Sequence, residues 1–151
     1  MSQFHIPEGF KPHLMSSDNE KFLTMLGPWY FKDVEKENSK IEKVFGIHID
    51  EKHTNIWGLA HGGMLISMAD SALGYNLSRA TDPPQKLVTV HLNSDFIASP
   101  RPGDWVHTEM HIHKIGAKIS FADCYLKVGE KMILKSSGVF AVLQRLKKVN
   151  S

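Results

Sequence analysis

The segment from Gly62 to Ser78 reads GGMLISMADSALGYNLS, and Asp70 is its single charge. A helix that is apolar nearly all round packs inside a protein, and a carboxylate carried there is rare unless paired, hydrogen-bonded or used. The helix opens on His61-Gly62-Gly63. Those residues leave bare backbone N–H groups at the positive end of the helix dipole, suited to an anion or a developing oxyanion. The pattern predicts one long buried helix over about residues 61–79, with an acid in its middle and a polar entrance.

What surrounds that helix reads mainly as strand. Ser17-Asp18-Asn19-Glu20 has the form of a capping box, and a short helix then ends at Gly27-Pro28. Strands follow at Trp29–Val34 and Ile41–Ile49, where Phe45, Ile47 and Ile49 alternate with Val44, Gly46 and His48. Residues 53–60 lack a period and form a loop into the long helix, which Asp82-Pro83-Pro84 follows. From Lys86 onward the chain reads as strand, with breaks at Pro100–Asp104, after Lys114 and at Gly129-Glu130. In the first of these strands strict alternation puts Val88, Val90, Leu92 and Phe96 toward the helix, and Thr89, His91 and Asn93 away from it. One helix with five or six strands implies an α+β fold, a curved antiparallel sheet wrapped around it.

The bulk numbers fit a single domain over residues 1–151: an arm and short helix to 28, a core over about 29–144, and a basic tail from 145. Net charge is +2, from 18 basic and 16 acidic residues, which argues against a dedicated nucleic-acid binder. The single cysteine, Cys124, excludes an intrachain disulfide framework and reads as a core thiol. No apolar stretch suits a secretory signal or a membrane span, so a cytoplasmic protein is expected. There is no G-x-S-x-G and no P-loop. His107, Glu109, His111 and His113 share a strand face, but an exposed polar face explains that pattern, and no metal is expected.

His61-Gly62-Gly63 with Asp70, preceded by Asn55, resembles the signature of hot-dog-fold acyl-CoA thioesterases of the PaaI-like (4-hydroxybenzoyl-CoA thioesterase-like) family. The segment from Val88 to Gly103-Asp104 and Lys114-Ile115-Gly116 also look like that family, over about residues 40–144. The resemblance implies a hot-dog fold, hydrolysis of an acyl-CoA thioester, no separate cofactor, and sites built between copies of the chain. It implies roles as well. The Gly62 N–H would polarise the carbonyl, with Asp70 as general base or nucleophile. Asn55 would position water or carbonyl, and His61 would contact the thioester region. Thr89 matches a water-orienting hydroxyl, against its strand parity. Basic contacts for the CoA phosphates would come from Arg101, Lys114, Lys118 or the tail at Arg145–Lys148.

Spacing gives an independent reason to expect a dimer. Gly62 and Asp70 are about 12 Å apart along one helix, whereas an oxyanion donor and an attacking group must both lie about 3 Å from their targets on one carbonyl. Two antiparallel helices related by a two-fold axis can supply Gly62 from one copy and Asp70 from the other. If both residues are catalytic, a homodimer follows; a dimer of dimers is expected as well, in an arrangement that the sequence leaves open. Each residue also has a plainer reading. Asp70 can be a structural acid, Gly62-Gly63 a packing device, Asn55 a loop cap, His61 a helix start and Trp57 a packing residue. Met64, Leu65, Met68, Leu73 and Tyr75 could shape an acyl pocket or simply be helix core. The main alternative function is a non-catalytic acyl-CoA-binding hot-dog protein. Such regulators add a DNA-binding segment and replace the helix acid, and here Asp70 is present.

Overall fold

The computed structural model describes residues 5–13 and 21–145. Its elements run β1 (Lys11–Pro12), α1 (Lys21–Leu26), β2 (Tyr30–Glu35), β3 (Ile41–His48), α2 (Gly62–Arg79), β4 (Gln85–Phe96), β5 (Trp105–Ile115), β6 (Ile119–Val128) and β7 (Lys131–Arg145). All strands join one antiparallel sheet in the order β1-β2-β3-β5-β6-β7-β4. The sheet has seven strands where five or six were expected, because Lys11 and Pro12 of the arm pair with Phe31 and Tyr30. The expected capping box at Ser17–Glu20 lies outside the described residues.

Helix α2 lies across the sheet. Met64, Leu65, Met68, Ala69, Ala72, Leu73 and Leu77 recur every three or four residues and are buried against Ile47, Val106, Ala122, Cys124, Leu134 and Phe140. Close approach is needed: a Cβ on Gly138 of β7 would come within 2.9 Å of Leu73. Met64, Leu65, Met68 and Leu73 are thus core, and Tyr75 packs on Phe31 and Phe45. Cys124 is buried too, and burial pushes its thiol pKa up, leaving it protonated and inert.

Burial of α2 is not all round. Gly63 is exposed, and Ser67, Asp70 and Gly74 are half-buried, so one face of small residues around Asp70 stays open. Asp70 is therefore not the fully buried carboxylate that the apolar run implies.

Strand β4 forms one edge of the sheet, and its parity differs from the strict alternation read above. Its register against β7 shifts between Lys86 and Leu87 and again between Thr89 and His91, so Val90 is an extra residue. Leu87 and Thr89 face α2 before the bulge, and Leu92, Ser94 and Phe96 face the same side after it. Val88 and Val90 point away from the helix and are 44% and 61% exposed. On the outer sheet face His113 pairs with Asp123 at 2.9 Å and Glu109 with Lys127 at 2.7 Å. No helix among the described residues is long and apolar enough to cross a membrane.

Candidate active site

The loop ahead of α2 is held from below by His53. This residue is buried; its Nδ1 accepts from the Asp50 N–H at 2.9 Å, so its Nε2–H donates to the Leu26 carbonyl. Burial holds its pKa below the usual imidazole value, which keeps the ring neutral. The His53 carbonyl in turn accepts from the His61 N–H at 2.8 Å. The start of α2 is thereby fixed to the preceding turn.

Asn55 organises the loop between them. Its Oδ1 accepts from the N–H groups of Trp57 at 2.9 Å and Leu59 at 3.3 Å, and its own N–H donates to the Leu59 carbonyl. It caps the loop, as its plainer reading held. With Oδ1 occupied, the group it can offer a ligand is the Nδ2 amide, a donor. Ile56 and Trp57 stand out at the tip, 92% and 80% exposed. Trp57 is thus not a packing residue within one chain.

His61 is the N-cap of α2, and its Nδ1 accepts from the Gly63 N–H at 2.9 Å. The remaining proton of the neutral ring then sits on Nε2, facing away from the helix backbone. No hydrogen bond to the Gly62 N–H is found among the described residues. Gly62, His61 and Asn55 therefore present donors only, at the positive end of a helix dipole. That is a setting for a carbonyl oxygen acquiring negative charge.

The acid belongs to a second group. Thr89 Oγ1 donates to Asp70 Oδ1 at 2.7 Å, across the gap between β4 and α2. The bulge at Val90 keeps Thr89 on this side, so the parity argument against it fails. Asp70 Oδ2 is left for another partner. Eight residues of helix separate this pair from Gly62, about 12 Å. One chain does not bring donors and acid together.

The basic residues are spread as well. Arg101 lies in the turn beside the Asn55 loop, where its N–H binds Asp104 and the Pro100 carbonyl accepts from Ala60. Lys114 and Lys118 flank the β5–β6 turn, near Gln85 and the far end of α2. All three are exposed. A cavity of about 530 Å³ between β3 and β5, lined by Glu42, Asn76, Met110 and His111, contains none of these residues.

Phe96, which residue pattern alone does not single out, borders this end of α2. Its ring sits 3.1 Å from where a Cβ on residue 62 would be, so it lies directly on the Gly62 backbone. Only its place in the β4 register reveals this.

Residues 58–134 match the thioesterase superfamily. A Pseudomonas aeruginosa protein provisionally named an esterase is 39% identical over 136 residues, 90% of this chain and 96% of that one. The chain belongs to the thioesterase superfamily. It is a thioester hydrolase with the hot-dog fold of that family. Zebrafish thioesterase superfamily member 2 superposes with a TM-score of 0.73 at 20% identity, over 83% of this chain and 89% of that one. The Escherichia coli PaaI protein superposes at 0.65 and 19% identity, over 76% and 80%. A Streptococcus pneumoniae protein described as a hypothetical thioesterase, solved with coenzyme A, gives 0.67 at 17% identity, over 78% and 91%.

Proposed function

We propose that the chain hydrolyses acyl-CoA thioesters as a homodimer, each site combining Gly62, His61 and Asn55 of one copy with Asp70 and Thr89 of the other. The observation that carries this is the separation of two half-sites on one helix: donors without an acid at its start, and an acid braced by a hydroxyl two turns on. Neither half can hydrolyse a thioester alone. The Gly62 N–H polarises the carbonyl, aided by the Asn55 amide, and the His61 Nε2–H faces the leaving sulfur. Asp70, held by Thr89, activates water for attack on the carbonyl carbon, or attacks it itself to give an anhydride. The CoA thiol leaves.

Dimer formation has a surface to use. Strand β4 is an edge of twelve residues whose outer side pairs with nothing among the described residues. Unpaired edges of that length invite another strand. Antiparallel pairing of two β4 strands would set two α2 helices side by side through the face of Gly63, Ser67, Asp70 and Gly74. Arg101 of the donor copy and Lys114 and Lys118 of the acid copy would then flank one site, available to the CoA phosphates. The crystal structure of the pneumococcal protein with coenzyme A favours CoA as the carrier.

Pairs of dimers have a second surface. On the outer face Ile119, Ala141 and Val88 lie in one cross-strand row and Phe121 and Val139 in the next. Val88, Ile119, Phe121 and Leu143 there are exposed. Contiguous apolar area of this kind is covered in most proteins, and sheet-to-sheet packing of two dimers covers it.

Mixed dimers test the composite site. A Gly62→Pro chain lacks the donor N–H, and an Asp70→Asn chain lacks the acid. In a heterodimer of the two, one site carries both lesions and the other neither. About half the wild-type activity per heterodimer is expected; inactive, intact heterodimers would contradict a site shared between copies.

A further inference from the structure

Of the side chains that the sequence offered for an acyl pocket, Met64, Leu65, Met68 and Leu73 are buried in the core and Tyr75 packs on Phe31 and Phe45, so none of them offers an acyl group an open apolar face within one chain. Phe96 supplies one. It lies beside the start of α2, and its own chain leaves the residue 53% exposed. One edge rests on Gly62, and the fit is tight: a Cβ at 62 would stand 3.1–3.2 Å from two ring carbons. Ile97 follows and is 56% exposed. The segment is firmly held, since the N–H groups of Ile97 and Ala98 both donate to the Ile133 carbonyl, at 2.9 and 3.1 Å. An apolar surface is thus fixed beside the N–H that polarises the substrate carbonyl.

Resting on the thioesterase reading, we propose that Phe96, with Ile97, is the acyl-recognition face and selects bulky apolar acyl groups over acetyl. An oxygen accepting from the Gly62 N–H at about 2.9 Å puts the carbonyl substituents within van der Waals reach of the ring. The other groups at this end, His61 Nε2–H and Asn55 Nδ2, are donors. They suit the sulfur and the amide-bearing pantetheine, and the ring suits a side chain that gains by leaving water.

Binding of 2-oxoalkyl-CoA ketones tests this without turnover, because these ligands keep the carbonyl but have no scissile thioester. Calorimetry would compare a methyl ketone, a heptyl ketone, a phenyl ketone and free CoA. The wild type should bind the heptyl and phenyl ketones at least tenfold more tightly than the methyl ketone. Phe96→Ala should remove most of that preference while changing methyl-ketone and CoA binding less than twofold, and Phe96→Leu should retain much of it. Equal loss for all four ligands would assign the ring to CoA or to folding, and no loss, or no ketone binding at all, would remove it from the site; each overturns the proposal. Wild type that binds ketones with this preference yet hydrolyses no acyl-CoA would instead overturn the thioesterase reading and leave the acyl face standing.

Discussion

Thr89 and Asp70 are nineteen residues apart in the chain and 2.7 Å apart in space, hydroxyl to carboxylate. The bond fixes one carboxylate oxygen and orients the other. A hydrogen bond to a charged group contributes about 1.5–3 kcal/mol, which corresponds to roughly 10- to 100-fold in rate. Thr89→Val is therefore expected to lower kcat by about that factor with a smaller change in KM, and Thr89→Ser to restore most of it. Steady-state kinetics on purified, folded variants checks this. Equal kcat in wild type and Thr89→Val would mean that the hydroxyl does not serve the acid.

The turn beneath the site gives stability a pH dependence. His53 is held neutral in the folded chain, with its pKa below the ordinary 6.5, whereas the unfolded chain takes up a proton near 6.5. Below that value the unfolded state binds more protons, so stability falls as pH drops and is complete above it. His107 is also pushed down by burial and acts in the same direction. Comparison of wild type with His53→Gln isolates the first contribution. Melting temperatures between pH 5 and 8 should fall less steeply toward acid in the variant.

Glu42 acts with the opposite sign. It is buried, accepts from the Met110 N–H at 3.1 Å and lies 3.4 Å from Lys36. Burial outweighs these partners and holds its pKa above the ordinary carboxylate value. The folded chain then binds the proton better than the unfolded one, so this group lowers stability as pH rises above about 4.5. Glu42→Gln, which keeps an acceptor for Met110, should gain stability relative to wild type as pH is raised from 4 toward 7. A constant difference across that range would contradict the assignment.

Charge on the outer face should separate the two assembly steps. Phe121→Lys puts an ammonium into the apolar rows while leaving the β4 edge and the site residues untouched. Light scattering after size exclusion is expected to show dimers in place of tetramers, with activity per site within about twofold of wild type. Tetramers that survive the substitution would move the second interface elsewhere.

Residue type and spacing made the centre of the fold legible. An apolar run with one acid gave α2, and His61, Gly62 and Gly63 marked its start. Two things were not legible, for physical reasons. Alternation assumes one residue per step, and the extra residue at Val90 reverses it, which turned Thr89 toward the acid and Val88 away from the core. Burial depends on how far each side chain stands from the sheet: Asp70 is half-buried and Trp57 and Phe96 are exposed, which residue type and periodicity do not reveal. Methionine and leucine on α2 were ambiguous between core and pocket until packing against β5–β7 decided for core.

The most direct measurement is thiol release from benzoyl-, octanoyl- and acetyl-CoA by wild type and Asp70→Asn. Wild-type turnover is expected, with kcat at least about a hundredfold lower in a folded Asp70→Asn dimer, the scale of lost general-base or nucleophilic catalysis. Turnover unchanged in Asp70→Asn, or saturable acyl-CoA binding by a wild type that releases no thiol, would contradict it.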